Sequence, residues 1–267
     1  MSAPNALDEI AGLLERLRSR RPLVHCLTNQ VVKNFTANAL LAIGAAPAMV
    51  EHPEEAAEFA AMADAVLVNL GTLDDCQMAA IRSALPSARK ARKPWVLDPV
   101  AVGPLGVRTR FAREILAYQP ALIRGNASEI IALAGLEGRG RGVDSGDSTA
   151  GALDAARQLA CAIHGAVLVT GPTDYSTDGT AVIACSNGDA LLTRVTGVGC
   201  AQGAIAAACA VVSDSPLQAA TAAAVLMGIA GERAAAYCQR PGSFQIALLD
   251  ALDALDGAAI RAQGRLA

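Results

Sequence analysis

The stretch that decides the fold begins Ala65-Val66-Leu67-Val68-Asn69-Leu70 and continues through an amphipathic segment at 75–85. It then runs through Trp95-Val96-Leu97-Asp98, a second amphipathic segment at 111–118 and Ala121-Leu122-Ile123. Short unbroken apolar runs rich in β-branched residues alternate here with longer segments whose apolar residues recur every three or four positions. The first kind reads as a strand buried on both faces, the second as a helix with one apolar stripe. The same alternation extends both ways. Leu7, Ile10, Leu14 and Leu17 mark a helix, 23–27 a strand, 34–43 a helix, 48–50 a short strand and 53–63 a helix. Farther on, a helix at 148–164 leads to a strand at 167–170. Repeats of this kind predict an α/β fold with a mostly parallel central sheet and helices on both faces.

Two regions depart from the repeat. Apolar runs at 181–185 and 191–195 flank Ser186-Asn187-Gly188-Asp189, whose Asn-Gly pair favours the positive φ angles of a tight turn. An antiparallel edge hairpin is therefore expected there. From Cys200 onward the chain reads as almost wholly helical, with breaks near Pro216 and at Pro241-Gly242. The Gly-rich, charged segment 135–147 reads as a surface loop, because regular alternation resumes directly after it. A single domain over residues 1–267 is the expectation.

Composition narrows the function. Hydrophobic residues make up 53% of the 267 residues but aromatics only 3%, so the core must be built from Ala, Val, Leu and Ile. The 22 basic and 25 acidic residues are mixed along the chain without a basic block, which excludes nucleic acid as a partner class. Seven cysteines at irregular spacings (Cys26, Cys76, Cys161, Cys185, Cys200, Cys209 and Cys238) read as reduced thiols. The first residues carry acidic side chains inside their apolar pattern, and the Ala-rich run at 201–212 is too short to cross a bilayer. A cytoplasmic protein with no membrane partner is expected.

Ligands of parallel sheets bind beyond the carboxyl ends of the strands. Val195-Thr196-Gly197-Val198-Gly199-Cys200 places two glycines before an Ala-rich helix. Backbone N–H groups and the positive helix end would cradle a phosphate there, and a thiol at the first turn would have its thiolate stabilised. The same residues serve equally as an ordinary strand-to-helix turn with a buried cysteine. Asp98 ends one apolar strand, and Arg124-Gly125-Asn126-Ala127-Ser128-Glu129 follows another. If a helix begins at Asn126, Asn126 and Glu129 can face one ligand while Arg124 reaches a phosphate oxygen, and oxygen ligands of this kind suit Mg²⁺. Taken singly, each reads first as structural, Asp98 as a loop cap. Asn126 with Glu129 also matches a helix cap with its reciprocal acidic partner. Thr170 offers a hydroxyl after the strand at 167–170. His25, Thr28, Asn29 and Asn34 cluster after the first strand, and Met49 ends the next apolar run. His25 alone reads as a hydrogen-bonded core residue. No Gly-x-x-x-x-Gly-Lys-Ser/Thr loop, Gly-x-Ser-x-Gly elbow or Cys-x-x-Cys pair is present. A metal, a phosphate cradle and a group near an acceptor hydroxyl are the parts that phosphoryl transfer requires.

Nine stretches in order carry a resemblance over nearly the whole chain. They are 22–29 (Pro-Leu-Val-His-Cys-Leu-Thr-Asn), 32–38, Asn69-Leu70-Gly71-Thr72, Leu97-Asp98-Pro99-Val100, 123–129, Arg141-Gly142-Val143-Asp144, Val169-Thr170-Gly171, 195–200 and Pro241-Gly242-Ser243-Phe244. Together they resemble the hydroxyethylthiazole kinase family, which is ribokinase-like in fold. The resemblance implies ATP-dependent phosphorylation of the primary alcohol of 4-methyl-5-(2-hydroxyethyl)thiazole in thiamine salvage, with Mg²⁺ as helper. It further implies that Arg124, Asn126 and Thr170 contact ATP and that Asp98 and Glu129 organise the metal. Met49, Gly197 and Asn29 are implied to meet the thiazole. Gly197, Val198, Gly199 and Cys200 would form the anion hole, with Cys200 catalytic where related sugar kinases carry an aspartate. A homotrimer is implied as well. Pro172, where an acidic residue is usual, and Val198, between the two glycines, depart from the family pattern.

Overall fold

The computed structural model describes residues 3–136 and 148–267. One eight-stranded sheet forms the centre. β1 (Leu23–Leu27), β2 (Ala46–Ala48), β3 (Ala65–Asn69), β4 (Trp95–Asp98), β5 (Leu122–Asn126) and β6 (Ala166–Thr170) are parallel, in the order β2-β1-β3-β4-β5-β6. β7 (Asp174–Thr177) and β8 (Val182–Cys185) add an antiparallel edge beyond β6.

Strand side chains alternate between two apolar layers, as the pleat requires. Cys26, Leu67, Val96, Leu122 and Leu168 face a layer built from α1 (Ala3–Arg20), α2 (Lys33–Ile43), α8 (Val198–Val212), α9 (Pro216–Tyr237), α10 (Pro241–Asp253) and α11 (Gly257–Gln263). Val66, Val68, Leu97, Ile123 and Val167 face the other layer. It holds α3 (Pro53–Met62), α4 (Asp75–Lys90), α5 (Gly106–Ile115), α6 (Ala127–Leu133) and α7 (Ser148–Ile163). The poverty in aromatics has its counterpart in α8, which is buried along most of its length by small side chains. A Cβ at Gly203 would stand 3.4 Å from Leu67 and 3.6 Å from the Asp98 carboxylate, so this helix lies almost directly on the sheet. Truncating Leu67 to alanine beneath it would cost about 2–5 kcal/mol in denaturant unfolding.

The structure departs from the sequence expectation at several elements. The hairpin is made by β7 and β8, with the tight turn at Asp178-Gly179, where Asp178 accepts from the Thr180 and Ala181 N–H groups and Gly179 has φ +94°. The segment expected as a strand at 191–195 is instead a 3₁₀ turn, Ala190–Arg194, capped by Asp189. Asn187 is buried and tied to distant residues, so it is unavailable to turn a hairpin. Helix α4 continues past Pro86 to Lys90, because burial of Leu85 and Ala88 outweighs the hydrogen bond that proline cannot make. The short strand lies at β2 and not at 48–50, and the helix expected at 111–118 is α5 followed by a 3₁₀ turn, Leu116–Tyr118. Strand β5 reaches Asn126, so Arg124 sits within the strand and not after it. Of the expected surface loop at 135–147, residues 137–147 lie outside the described residues, as does the motif at 141–144.

Candidate active site

Because β1 and β3 to β6 run in parallel, their carboxyl ends share one edge of the sheet. The register places Asn69 opposite Asp98, and Asn126 opposite Thr170. Asn29 follows β1 at the same edge. A chain of hydrogen bonds joins the middle of this edge. Asn69 donates from Nδ2 to Asp98 Oδ2 at 2.6 Å, and Asn29 donates from Nδ2 to Asn69 Oδ1 at 2.9 Å and to Cys200 Sγ at 3.5 Å. Gly71 N–H also donates to Asn69 Oδ1 at 3.0 Å. A Cβ at Gly71 would come within 2.7 Å of the Asn29 amide, so only glycine leaves room for this pair.

Asp98 is fully buried, and its second oxygen, Oδ1, has no hydrogen-bond partner among the described residues, standing 3.8 Å from Nη1 of Arg124. Burial pushes its carboxyl up to about 7, against the pull of the Arg124 guanidinium, and the Glu129 charge pushes the same way. Cys200, the third residue of α8, behaves oppositely to the expected stabilised thiolate. Burial first and the Asp98 charge second push its thiol up to about 11. An exposed helix end is worth about 0.3–1 kcal/mol to an anion, whereas this rise corresponds to about 3 kcal/mol, so burial wins.

The glycine turn is shaped by its neighbours. Gly197 caps α8 with φ +97°, and a Cβ there would stand 3.0 Å from Val32 of the loop before α2. A Cβ at Gly199 would meet both terminal nitrogens of Arg124 at 2.7 Å, so the guanidinium lies against the turn. Arg124 donates from Nε to Gln202 Oε1 at 3.0 Å, and Gln202 donates from Nε2 to Asp174 Oδ2 at 3.2 Å. Asp174 also accepts from Gly171 N–H at 3.0 Å, and burial raises its pKa.

Asn126 and Glu129 form the capping box that the sequence allowed. Asn126 accepts from Glu129 N–H while Glu129 Oε2 accepts from Asn126 N–H, each at 2.9 Å. Glu129 does more than cap, since its Oε1 accepts from Ala101 N–H at 3.0 Å and so holds the loop after β4, where Ala101 has φ +60°. Thr170 ends β6 with its hydroxyl donating to the Gly125 carbonyl at 3.4 Å. Met49, just past β2, is half-buried against the apolar layer. His25 is a core residue, buried edge-on to Phe59, with Nε2 2.7 Å from the Val50 carbonyl.

A cleft of about 730 Å³ opens beside the turn. Arg124, Asn126, Thr170, Asp174, Gly199 and Gln202 supply polar and backbone groups to its lining, and Leu192, Val195, Val198 and Met227 apolar ones, with Gly228 between them. A second cavity of about 500 Å³ adjoins it across Gly171 and Pro172. Neither lining includes Asn29, Met49 or Cys200. Val198 and Gly199 line the cleft, and the next residue, Cys200, meets Asn29; Arg124 reaches both places, lying against Gly199 and 3.8 Å from Asp98. Sequence reasoning had not named Asn69, Gln202 or Asp174 as site residues. Asn69 carried the same signal as Asp98, a polar residue closing a buried strand, whereas Gln202 is a lone polar residue in an Ala-rich helix and gave none. Among the described residues, no cluster of three or more His, Cys, Asp or Glu side chains is placed to hold a metal, and no helix is long and apolar enough to cross a membrane.

A mostly parallel sheet with an antiparallel edge, carrying a glycine turn, an arginine and a buried carboxylate at its carboxyl ends, is the ribokinase-like α/β arrangement. A ribokinase-like superfamily protein from Enterococcus faecalis shares this fold with a TM-score of 0.64 at 14% identity, over 91% of this chain and 93% of that one. The chain belongs to the hydroxyethylthiazole kinase family, whose model matches residues 14–257. It is 56% identical to the hydroxyethylthiazole kinase of Granulibacter bethesdensis over 265 residues, 99% of this chain and 97% of that protein. The structure of the hydroxyethylthiazole kinase from Pyrococcus horikoshii matches with a TM-score of 0.90 at 42% identity, over 97% of this chain and 98% of that one.

Proposed function

We propose that this protein transfers the γ-phosphoryl group of ATP to the primary hydroxyl of 4-methyl-5-(2-hydroxyethyl)thiazole, a step of thiamine salvage. The observation that carries the reading is the position of the glycine turn, with Arg124 against Gly199 and the Asn29, Asn69 and Asp98 group reaching Cys200, the next residue. A phosphoryl group held by the N–H groups of residues 197–200 lies between a donor in the cleft and an acceptor alcohol beside Asn29 and Cys200.

The charge in the cleft favours one direction for the nucleotide. Its triphosphate goes to the end with Arg124, Thr170 and the helix N-terminus, where positive charge and N–H donors are concentrated. The nucleoside then packs toward Leu192, Val195 and Met227. Asn126 faces the phosphates from the cap of α6. Gly197 and Met49 bound the thiazole side. Mg²⁺ fits the carboxylates at the edge. Asp98 Oδ1 is buried without a hydrogen-bond partner among the described residues, and Glu129 raises the Asp98 pKa as a like charge nearby. Both Glu129 oxygens already accept backbone N–H groups, which favours contact through water. When bound, the ion neutralises charge on the transferring phosphates.

Cys200 is the catalytic residue of this reading. With its thiol protonated near neutrality, its task is to place the hydroxyl against the incoming phosphoryl. In a loose transition state the proton leaves late, and positioning carries more weight than base strength. Residues 1–267 act as one cytoplasmic domain, supported by a single sheet whose strands come from residues 23–185. Exposed Val31, two residues past Asn29, supports a homotrimer in which a neighbour covers that side.

A coupled ADP-release assay with the thiazole alcohol, with and without Mg²⁺, tests the reading. Turnover that needs both is the expected result. Turnover of a hydroxymethylpyrimidine but not of the thiazole would replace the substrate, and thiazole binding without ADP release would replace the activity. Light scattering reads the assembly against the 27.1 kDa chain.

A further inference from the structure

On the far wall of the cleft, the loop carrying Asn187, Gly188 and Asp189 is held from behind by groups that do not line the cleft. Asn187 is 6% exposed. Its Nδ2 donates to the Gln263 carbonyl at 2.8 Å and to both Glu232 oxygens at 3.2 and 3.3 Å, and its Oδ1 accepts from Arg265 N–H at 2.7 Å. Gly188 N–H donates to Glu232 Oε1 at 2.7 Å. The Arg265 guanidinium closes the circuit, pairing with Glu232 and donating to the Ser186 carbonyl at 2.8 Å. Residues 265–267 also pair with the end of β8, Ala184 and Ala267 exchanging N–H bonds at 2.8 and 2.9 Å.

Helix α9 is cut away to receive this wall. A Cβ at Gly228 would come within 2.6 Å of the Asn187 side chain, and one at Gly231 within 2.7 Å of Leu192. The loop is thus clamped between the glycines of α9 and a charged lock. Asn187 packs on Gly228, and a Cβ at Gly188 would lie 3.7 Å from Leu192, both of them residues of the cleft lining.

We propose that Glu232 and Arg265 are positioning residues for the nucleoside half of ATP. They set the height of the loop at 186–189 without touching the phosphates. The inference rests on the proposed direction of the nucleotide and is separable from it by comparing ligands with and without a nucleoside.

The experiment measures binding of ADP and of inorganic triphosphate to the full chain and to Glu232→Ala, Arg265→Ala and Arg124→Ala, with folding checked by thermal melts. Glu232→Ala and Arg265→Ala are expected to weaken ADP about fivefold to tenfold and to leave inorganic triphosphate unchanged, since only the nucleoside wall moves. Glu232→Gln, which keeps an acceptor for Gly188 N–H, should recover part of the loss. Arg124→Ala should weaken both ligands. Unchanged ADP binding in both lock variants, or equal weakening of the two ligands, overturns the inference. If Arg124→Ala leaves both ligands unaffected, the nucleotide reading itself fails. Should Glu232→Ala not fold, Arg265→Ala at the exposed side of the lock decides the matter.

Discussion

The Cys200 thiol sits in the field of the buried Asp98 carboxylate, and that charge adds to burial in pushing the thiol up to about 11. A thiol so placed is a weak nucleophile at neutral pH, whatever its position on the helix. Alkylation with iodoacetamide at pH 7.5, followed by peptide mass spectrometry, should therefore label the exposed Cys76 and Cys161 first and Cys200 slowly. The Cys200 rate should keep climbing toward pH 11. Rapid labelling of Cys200 at neutral pH, levelling off by pH 8, would show a stabilised thiolate and sink this view.

Removing the thiol should affect turnover more than binding. Cys200→Ala is expected to lower kcat about tenfold to a hundredfold with little change in the KM of the alcohol, because the lost contact acts on the reacting hydroxyl. Cys200→Asp places a second carboxylate beside Asp98, and two carboxylates sharing a site push one pKa toward neutrality. That variant should turn over faster than the alanine. A folded alanine variant with wild-type kcat removes Cys200 from the reaction.

Asp98 gives a pH dependence of stability with a definite sign. The unfolded chain releases this proton near ~3.9, but the folded protein holds it until about 7. The folded state is therefore favoured by this group fully below pH ~4, and the contribution is lost as pH rises through about 7. Asp98→Asn removes the titration and keeps an oxygen for Asn69. In the ligand-free protein, its melting temperature should gain on wild type between pH 5 and 8 while turnover falls. A difference between the two that does not vary with pH would mean that Asp98 ionises freely in the fold.

The fold was legible because its signals are local and repeated. Strands such as 65–69 and 166–170 are continuous apolar runs, and the registers they impose bring Asn69, Asp98, Asn126 and Thr170 to one edge. The edge hairpin was misplaced because two dipeptides compete. Asn187-Gly188 and Asp178-Gly179 carry the same turn preference, and only the partners of Asn187 on Glu232 and at Gln263, far along the chain, decide between them. Long-range polar pairing of this sort leaves no periodic trace. Gln202 was invisible for the same reason, its two partners lying on β5 and β7. The protonation of Cys200 could not be read from the sequence because the helix start is local, whereas the burial that raises its pKa comes from the whole fold.

The close contact between Gly199 and Arg124 yields the sharpest test of the cleft. A methyl group at 199 would stand 2.7 Å from the guanidinium nitrogens, so Gly199→Ala must push Arg124 off the turn or shift the turn itself. Position 199 lies in the first turn of α8, where alanine is favourable for the helix, and its φ is not among the positive values, so stability should change little. The KM for ATP should rise about tenfold, in the same direction as in Arg124→Lys, which keeps the charge but loses the fork that reaches Gln202. The KM of the alcohol should stay close to wild type, since the contact with Asn29 is made by Cys200 and not at position 199. Steady-state kinetics with each substrate varied in turn read all four values. A Gly199→Ala enzyme with unchanged KM for ATP would place the triphosphate elsewhere than against Arg124 and the glycine turn.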